Sequence, residues 1–305
     1  MSVITTKVGI NTKVVDFFIV GAPRCGTTSL YNYLKQHPDI FMPEFKEPEF
    51  FSKDISFSHA IKNIEDYQEL FIKAKDNQIK GEASTFYLYS REAIKNIKTY
   101  NPEAKIIILL KNPIKQMLSY HNMMLSIYWE GSEDITDFNR AISLENYRKE
   151  WKFLPLNNTF PVFCYCYKEI AHFSKYIKYY LENFNNENIF VIISEDFMRN
   201  PKLEFKRVCN FLNIRDSIDI EFIYHNRIGK PWSNLIFRFL SNINGNIHSK
   251  KLKKYIGYLW KINMSNKNPC KIDNNTYQQL QKEFEPEVME LSRLLKKDLF
   301  TQWQL

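Results

Sequence analysis

No run of apolar residues in this 305-residue chain approaches the roughly 20 that a membrane-crossing helix requires. Nor does its beginning carry the pattern of a secretory signal. The five cysteines (Cys25, Cys164, Cys166, Cys209 and Cys270) show no metal-ligand spacing. Cys164 and Cys166 stand too close for a zinc clip, and no second pair matches them. An odd number of cysteines without a secretory signal reads as reduced thiols. The expected location is therefore the cytoplasm, with neither membrane nor metal as a partner. No internal repeat or low-complexity linker breaks the chain, so one domain over 1–305 is expected, with a core over about 14–212 and late loops plus a closing helix over 213–305.

A dense basic stripe is missing too. The 42 Lys and Arg residues are mixed with 34 Asp and Glu, leaving a formal charge of +8 spread along the chain. That balance favours an anionic ligand without choosing one. Nucleic acid is not the expected partner, because no reading module accompanies the charge. The one tight basic run, Lys250-Lys251-Leu252-Lys253-Lys254, reads as a solvated helix face.

What is present is an ordinary globular composition, 44% hydrophobic and 15% aromatic, in which two residue periods alternate. An apolar run at 14–20 breaks at 21–28. Leu30, Tyr33 and Leu34 then recur at helical spacing until His37-Pro38. Residues 79–82, 105–110 and 189–193 read as buried strands, and the run Ile106 to Leu110 is apolar on both faces, as strands of a covered parallel sheet are. Helices are expected over 114–128, 168–184, 201–212 (with Pro201 in its first turn) and 277–299. The alternation predicts an α/β fold: a doubly wound, mostly parallel sheet flanked by helices.

The most informative segment is Phe17-Phe18-Ile19-Val20-Gly21-Ala22-Pro23-Arg24-Cys25-Gly26-Thr27-Thr28-Ser29-Leu30, a strand leading through a P-loop-like phosphate-binding loop into a helix. Free N–H groups at such a helix N-terminus attract anions. Thr27, Thr28 and Ser29 add hydroxyl donors, and Gly26 lets the backbone approach a phosphate. The spacing nearly matches G-x-x-x-x-G-K-[ST], but Thr27 stands where the lysine belongs and the cation is Arg24, inside the loop. A cation there neutralises charge on a leaving phosphate. Cys25 reads as a small packing residue within the same loop.

This loop resembles the 5′-phosphosulfate motif of sulfotransferases that use 3′-phosphoadenosine-5′-phosphosulfate (PAPS), in the branch of heparan-type and bacterial tailoring enzymes. A second segment, Lys111-Asn112-Pro113-Ile114-Lys115-Gln116-Met117-Leu118-Ser119-Tyr120, is similar to that family's 3′-phosphate motif, R-[DN]-P-x-x-R-x-x-S-x-Y. The resemblance implies that Lys111 and Ser119 hold the 3′-phosphate. Lys111 replaces an arginine, keeping charge while losing the bidentate fork, and Gln116 replaces a second arginine. Weaker echoes follow in order at Gly81–Tyr87, at 189–201, at Phe211-Leu212, and at Asp298-Leu299 with Trp303.

The resemblance also implies a general base. Lys46-Glu47-Pro48-Glu49-Phe50-Phe51 is similar to the E-x-x-F-F segment of heparan-type enzymes, which carries the role to Glu47. The phenylalanines are expected to raise the pKa of that carboxyl. His121, after Ser119-Tyr120, is the reserve base. The family's late loop, which closes over the nucleotide, corresponds to His225–Trp232 and makes Arg227 and Lys230 candidate lid contacts. Tyr87, Met123, Met124, Tyr128 and Trp129 read equally as acceptor pocket or core. The expected reaction is metal-independent transfer of the PAPS sulfuryl group to a hydroxyl or amine of a small-molecule acceptor, such as a bacterial secondary metabolite. Two alternatives remain: a P-loop kinase or NTPase, with Ser194-Glu195-Asp196 imitating its magnesium-binding acid, and a non-catalytic anion-binding protein.

Overall fold

The computed structural model describes residues 14–126, 131–155, 158–223 and 270–304, with positions 233, 236, 240, 256–259 and 262 between the last two blocks. Five strands form one wholly parallel sheet: β1 (Phe17–Gly21), β2 (Ile40–Phe41), β3 (Ile79–Ala83), β4 (Lys105–Leu110) and β5 (Ile189–Ile193), in the order β2-β3-β1-β4-β5. All five residues of β1 are buried, as are the last five of β4. Helices cover both faces, so these strands lose the alternation that a half-exposed strand would keep.

From β1 the chain crosses to β2 at one edge, returns through β3 beside β1, and only then passes to β4 on the other side of β1. The direction of winding reverses between β1 and β4, the place where open α/β sheets bind ligands at the C-terminal ends of their strands. Phe18 pairs with Ile106 and Gly21 with Ile108, with a register irregularity between Ile19 and Gly21. The Ala22 N–H then donates to the Leu109 carbonyl at 2.7 Å. The segment after β1 is thus tied to the end of β4.

The flanking helices are α1 (Thr27–Lys35), α2 (Ile64–Glu69), α3 (Arg91–Tyr100), α4 (Pro113–Ser126), α5 (Phe138–Ser143), α6 (Glu145–Lys149), α7 (Tyr167–Ala171), α8 (Ser174–Asn183), α9 (Ser194–Arg199), α10 (Pro201–Leu212), α11 (Asn274–Leu295) and α12 (Leu299–Trp303). Two differ from the expectation. The helix expected over 168–184 is two helices, because Glu287 of α11 accepts from the Ser174 N–H and hydroxyl, each at 2.7 Å, and caps α8 from outside. The closing helix stops at Leu295, where Lys296 turns left-handed (φ 51°), and Asp298 caps a separate α12.

A buried ion pair braces the α6 side. Arg148 and Glu133 are both fully buried and bond twice, at 2.8 and 2.9 Å. The Tyr167 hydroxyl donates to the same carboxylate at 2.6 Å. All five cysteines are free thiols, and no helix among the described residues is long and apolar enough to cross a membrane.

Candidate active site

The loop between β1 and α1 has the backbone that an anion cradle needs. Gly26 caps α1 with φ 101°, and no side chain takes up the helix's first N–H groups. A Cβ at Gly26 would meet only ordinary contacts, so the left-handed backbone, not space, asks for glycine there. Gly21 answers to both: its φ is 150°, and a Cβ would fall 2.7 Å from the Thr85 carbonyl oxygen. Thr27 and Ser29 are buried hydroxyls in the first turn, where no acidic residue opposes an anion. Cys25 is wholly buried, and burial pushes its thiol up to about 12 despite Lys111 and Arg24 nearby. Its side chain packs in the core, with the thiol donating to the Pro23 carbonyl at 3.7 Å.

Arg24 joins the two phosphate motifs. It holds a left-handed backbone (φ 68°), and its Nε donates to Ser119 Oγ at 3.3 Å. Lys111, directly after β4, lies close enough to act electrostatically on Cys25. Arg24, Lys111 and Ser119 therefore gather where the winding reverses. From the same helix as Ser119, Gln116 Nε2 donates to the Pro23 carbonyl at 3.1 Å.

Glu195 and Asp196, in the second of the weaker echoes, serve as braces. Glu195 accepts from the Asn112 N–H at 3.1 Å and from Trp303 Nε1 at 3.2 Å. Asn112 Nδ2 donates to the Trp303 carbonyl at 3.2 Å, and Gln302 Nε2 to Asp196 at 2.8 Å. The C-terminal helix thus clamps the residue next to Lys111, and both acids are engaged in that clamp.

Glu47 lies at the same edge of the sheet. Its N–H donates to the Ala83 carbonyl at the end of β3 (3.0 Å), with its backbone left-handed at φ 62°. Its carboxylate pairs with Lys46 and accepts from Thr85 Oγ1 at 3.4 Å. Thr85 is also the residue whose carbonyl abuts Gly21, so Glu47 reaches the phosphate loop through a single intervening residue. His59, which the sequence did not single out, faces Glu47. Desolvation holds its imidazole below the ordinary value, against the pull of the Glu47 carboxylate. The Ile61 N–H, bonded to the Pro48 carbonyl at 2.9 Å, stitches that segment to the Glu47 turn.

The phenylalanine pair serves different carboxyls from the one expected. Phe50 and Phe51 pack with Tyr67 in the core, and the buried acids there are Glu49 and Glu82. Burial, then the charge of Glu47, raises Glu49 to about 8. Burial also raises Glu82 to about 7, against bonds from Ser84, Tyr67 and Tyr87. Tyr87 is thereby a core residue, as is the wholly buried Met124. Tyr128 and Trp129 lie outside the described residues.

His121 is fully buried, its Nε2 on the Ile135 carbonyl at 2.8 Å and its ring against Phe138 and Tyr167. Burial holds its imidazole low. The structure places it in the core beside Glu133 rather than with Arg24 and Glu47. Arg227 and Lys230, the expected lid contacts, lie outside the described residues, as does the basic run at 250–254.

The glycine-bounded loop at the sheet's reversal, Lys111 directly after β4 and the Glu47 carboxylate beside Ala83 stand at the C-terminal ends of the strands. The chain matches the family described as the sulfotransferase domain over residues 15–284, and it belongs to that family. It is 25% identical over 252 residues to carbohydrate sulfotransferase 15 of Mus musculus, covering 65% of this chain and 43% of that protein. To heparan sulfate glucosamine 3-O-sulfotransferase 3B1 of Homo sapiens it is 24% identical over 211 residues, covering 68% of this chain and 48% of that one. The chain thus spans about half or less of the length of these curated relatives. A sulfotransferase from Alicyclobacillus acidocaldarius shares the fold, with a TM-score of 0.72 over 95% of this chain and 99% of that one at 24% identity.

Proposed function

We propose that this protein transfers the sulfuryl group of PAPS to a hydroxyl or amine of a small-molecule acceptor, with Glu47 as general base. The observation that carries the reading is the contact between Arg24 and Ser119, which unites the loop suited to a 5′-phosphosulfate with the segment suited to a 3′-phosphate. PAPS, when bound, supplies an activated sulfuryl group and a phosphate leaving group.

The chain's own residues meet the demands of that displacement. Glu47 takes the acceptor's proton as the acceptor oxygen or nitrogen bonds to sulfur. Arg24 and the open N–H groups of α1 stabilise the negative charge that gathers on the 5′-phosphate as the sulfur–oxygen bond breaks. Lys111 and Ser119 hold the 3′-phosphate and so fix the donor's position. The phosphate loop lacks a lysine after Gly26, and Glu195 and Asp196 are spent on the C-terminal clamp; both facts favour this reading over a kinase or NTPase.

The relatives are named for carbohydrate acceptors; the small-molecule acceptor proposed here differs from theirs. The cytoplasm, with its reduced thiols, is the proposed location.

The test is a calorimetric titration of 3′-phosphoadenosine-5′-phosphate (PAP) into metal-free protein, with AMP and ATP as controls. Tight binding that requires the 3′-phosphate is expected. Preference for ATP, or binding of none of the three, would remove the sulfotransferase reading. An acceptor screen with PAPS, spanning phenols, alcohols, amines and oligosaccharides, then separates small-molecule from glycan acceptors.

A further inference from the structure

Two side chains one turn apart on α4 grip the phosphate loop. Ser119 accepts from the Arg24 side chain at 3.3 Å, and Gln116 donates to the Pro23 carbonyl at 3.1 Å. The Cys25 thiol reaches the same carbonyl at 3.7 Å. Between these contacts Arg24 adopts its left-handed backbone, a conformation that an L-residue with a side chain holds only when its surroundings impose it.

Gln116 is fully buried, and its Oε1 meets no donor among the described residues. Its orientation is nevertheless fixed, because exchanging oxygen and nitrogen would set an acceptor against the Pro23 acceptor. A buried amide with half its bonding capacity unmet costs stability. Methionine or leucine would fill the same space without that cost. What the amide adds is its bond to the loop.

We infer that Gln116 is a positioning residue for the cofactor. It fixes the Pro23–Arg24 peptide so that the guanidinium stands at Ser119, and α4 thereby couples the 5′-phosphosulfate loop to the 3′-phosphate site. Where the family motif has an arginine, this chain has an amide turned onto the loop backbone. The inference rests on the proposed use of PAPS, so its test includes the wild-type protein.

Affinities for PAP and AMP are measured by calorimetry on wild type, Gln116→Met, Ser119→Ala and the double variant. Wild type prefers PAP. In Gln116→Met that preference falls roughly five- to tenfold, the worth of one buried hydrogen bond. The double variant loses less than the two single losses combined, because both act through Arg24. Gln116→His, whose ring N–H reaches the carbonyl, recovers most of the preference and serves also if the methionine variant folds poorly. A wild-type preference left intact in Gln116→Met, with additive losses in the double variant, overturns the inference and leaves Gln116 as packing. A wild-type protein indifferent to the 3′-phosphate overturns the PAPS reading itself, and this inference with it.

Discussion

Arg24 Nε and Ser119 Oγ lie 3.3 Å apart although 95 positions separate them in the chain. The cation of the phosphate loop is thus aimed by a helix that follows a different strand, across the line where the sheet's winding reverses. If that cation carries the charge of the departing phosphate, Arg24→Ala should lower kcat by roughly a hundred- to a thousandfold, as loss of a charge-stabilising donor does. Arg24→Lys should fall between, keeping charge without the planar fork. Steady-state rates with PAPS and an acceptor found by screening check this. Near-normal turnover in Arg24→Ala would take Arg24 out of the mechanism.

Glu47 and His121 separate by geometry, and rates should follow. Glu47→Gln preserves the shape and the Thr85 contact but cannot take a proton. It should bind PAP as wild type does while kcat drops roughly a hundred- to ten-thousandfold. His121→Ala should lower the melting temperature, since it empties a core position beside Phe138 and Tyr167, and should leave the rate of the folded fraction near normal. The reverse pattern, rate surviving in Glu47→Gln and lost in His121→Ala, would hand the role of base to His121.

The sequence carried the parts of this fold whose causes are local. Strands apolar on both faces, the glycine-bounded loop and the proline-led helix α10 follow from neighbouring residues, and the structure repeats them. The break before α8 was not legible, because its cap, Glu287, arrives from 113 positions away. The end of α11 was hidden differently: Lys296 takes the left-handed position that glycine usually marks. In the candidate site, Arg24 and Glu47 are named by motif alone, and the phenylalanines after Glu47 turn to the core, packing with Tyr67. Which carboxyl they bury depends on how the turn presents Glu49 to the core. Gln116 looked like a lost arginine until its bond to Pro23 was seen.

Arg148 and Glu133 offer a test of stability away from the site. Burial pushes the Glu133 carboxyl up, but Arg148 overcomes it and holds the group below its ordinary value. Arg148→Ala leaves a buried carboxylate without its cation and should cost about 3–5 kcal/mol. Arg148→Met combined with Glu133→Leu should recover only part of that loss: it removes the unpaired charge but strands the Tyr167 hydroxyl and the Asp134 and Ile135 N–H groups that bond to Glu133. Urea unfolding of wild type and the two variants measures it. A single variant costing less than a surface substitution would mean that Tyr167 and the Asp134 and Ile135 N–H groups suffice for Glu133 without the cation.

The pair Glu49 and Glu82 sets how stability responds to alkali. Each has a folded-state pKa above its unfolded value near 4.5: burial and then the Glu47 charge lift Glu49 to about 8, and burial lifts Glu82 to about 7. The folded protein therefore binds more protons than the unfolded chain from roughly pH 4.5 upward, so this contribution is full at low pH and lost as pH rises through 7 and 8. His59 and His121, whose imidazoles burial holds low, act in the opposite sense below about pH 7, which makes pH 7 to 8.5 the informative window. Glu49→Gln removes one of the two groups and nearly preserves its shape. Across that window the melting temperature of wild type should fall relative to the variant, and the variant should be the more stable protein at pH 8.5. Parallel curves would mean that Glu49 is already ionised at neutral pH, with a cation or ordered water serving the oxygen that lacks a partner among the described residues.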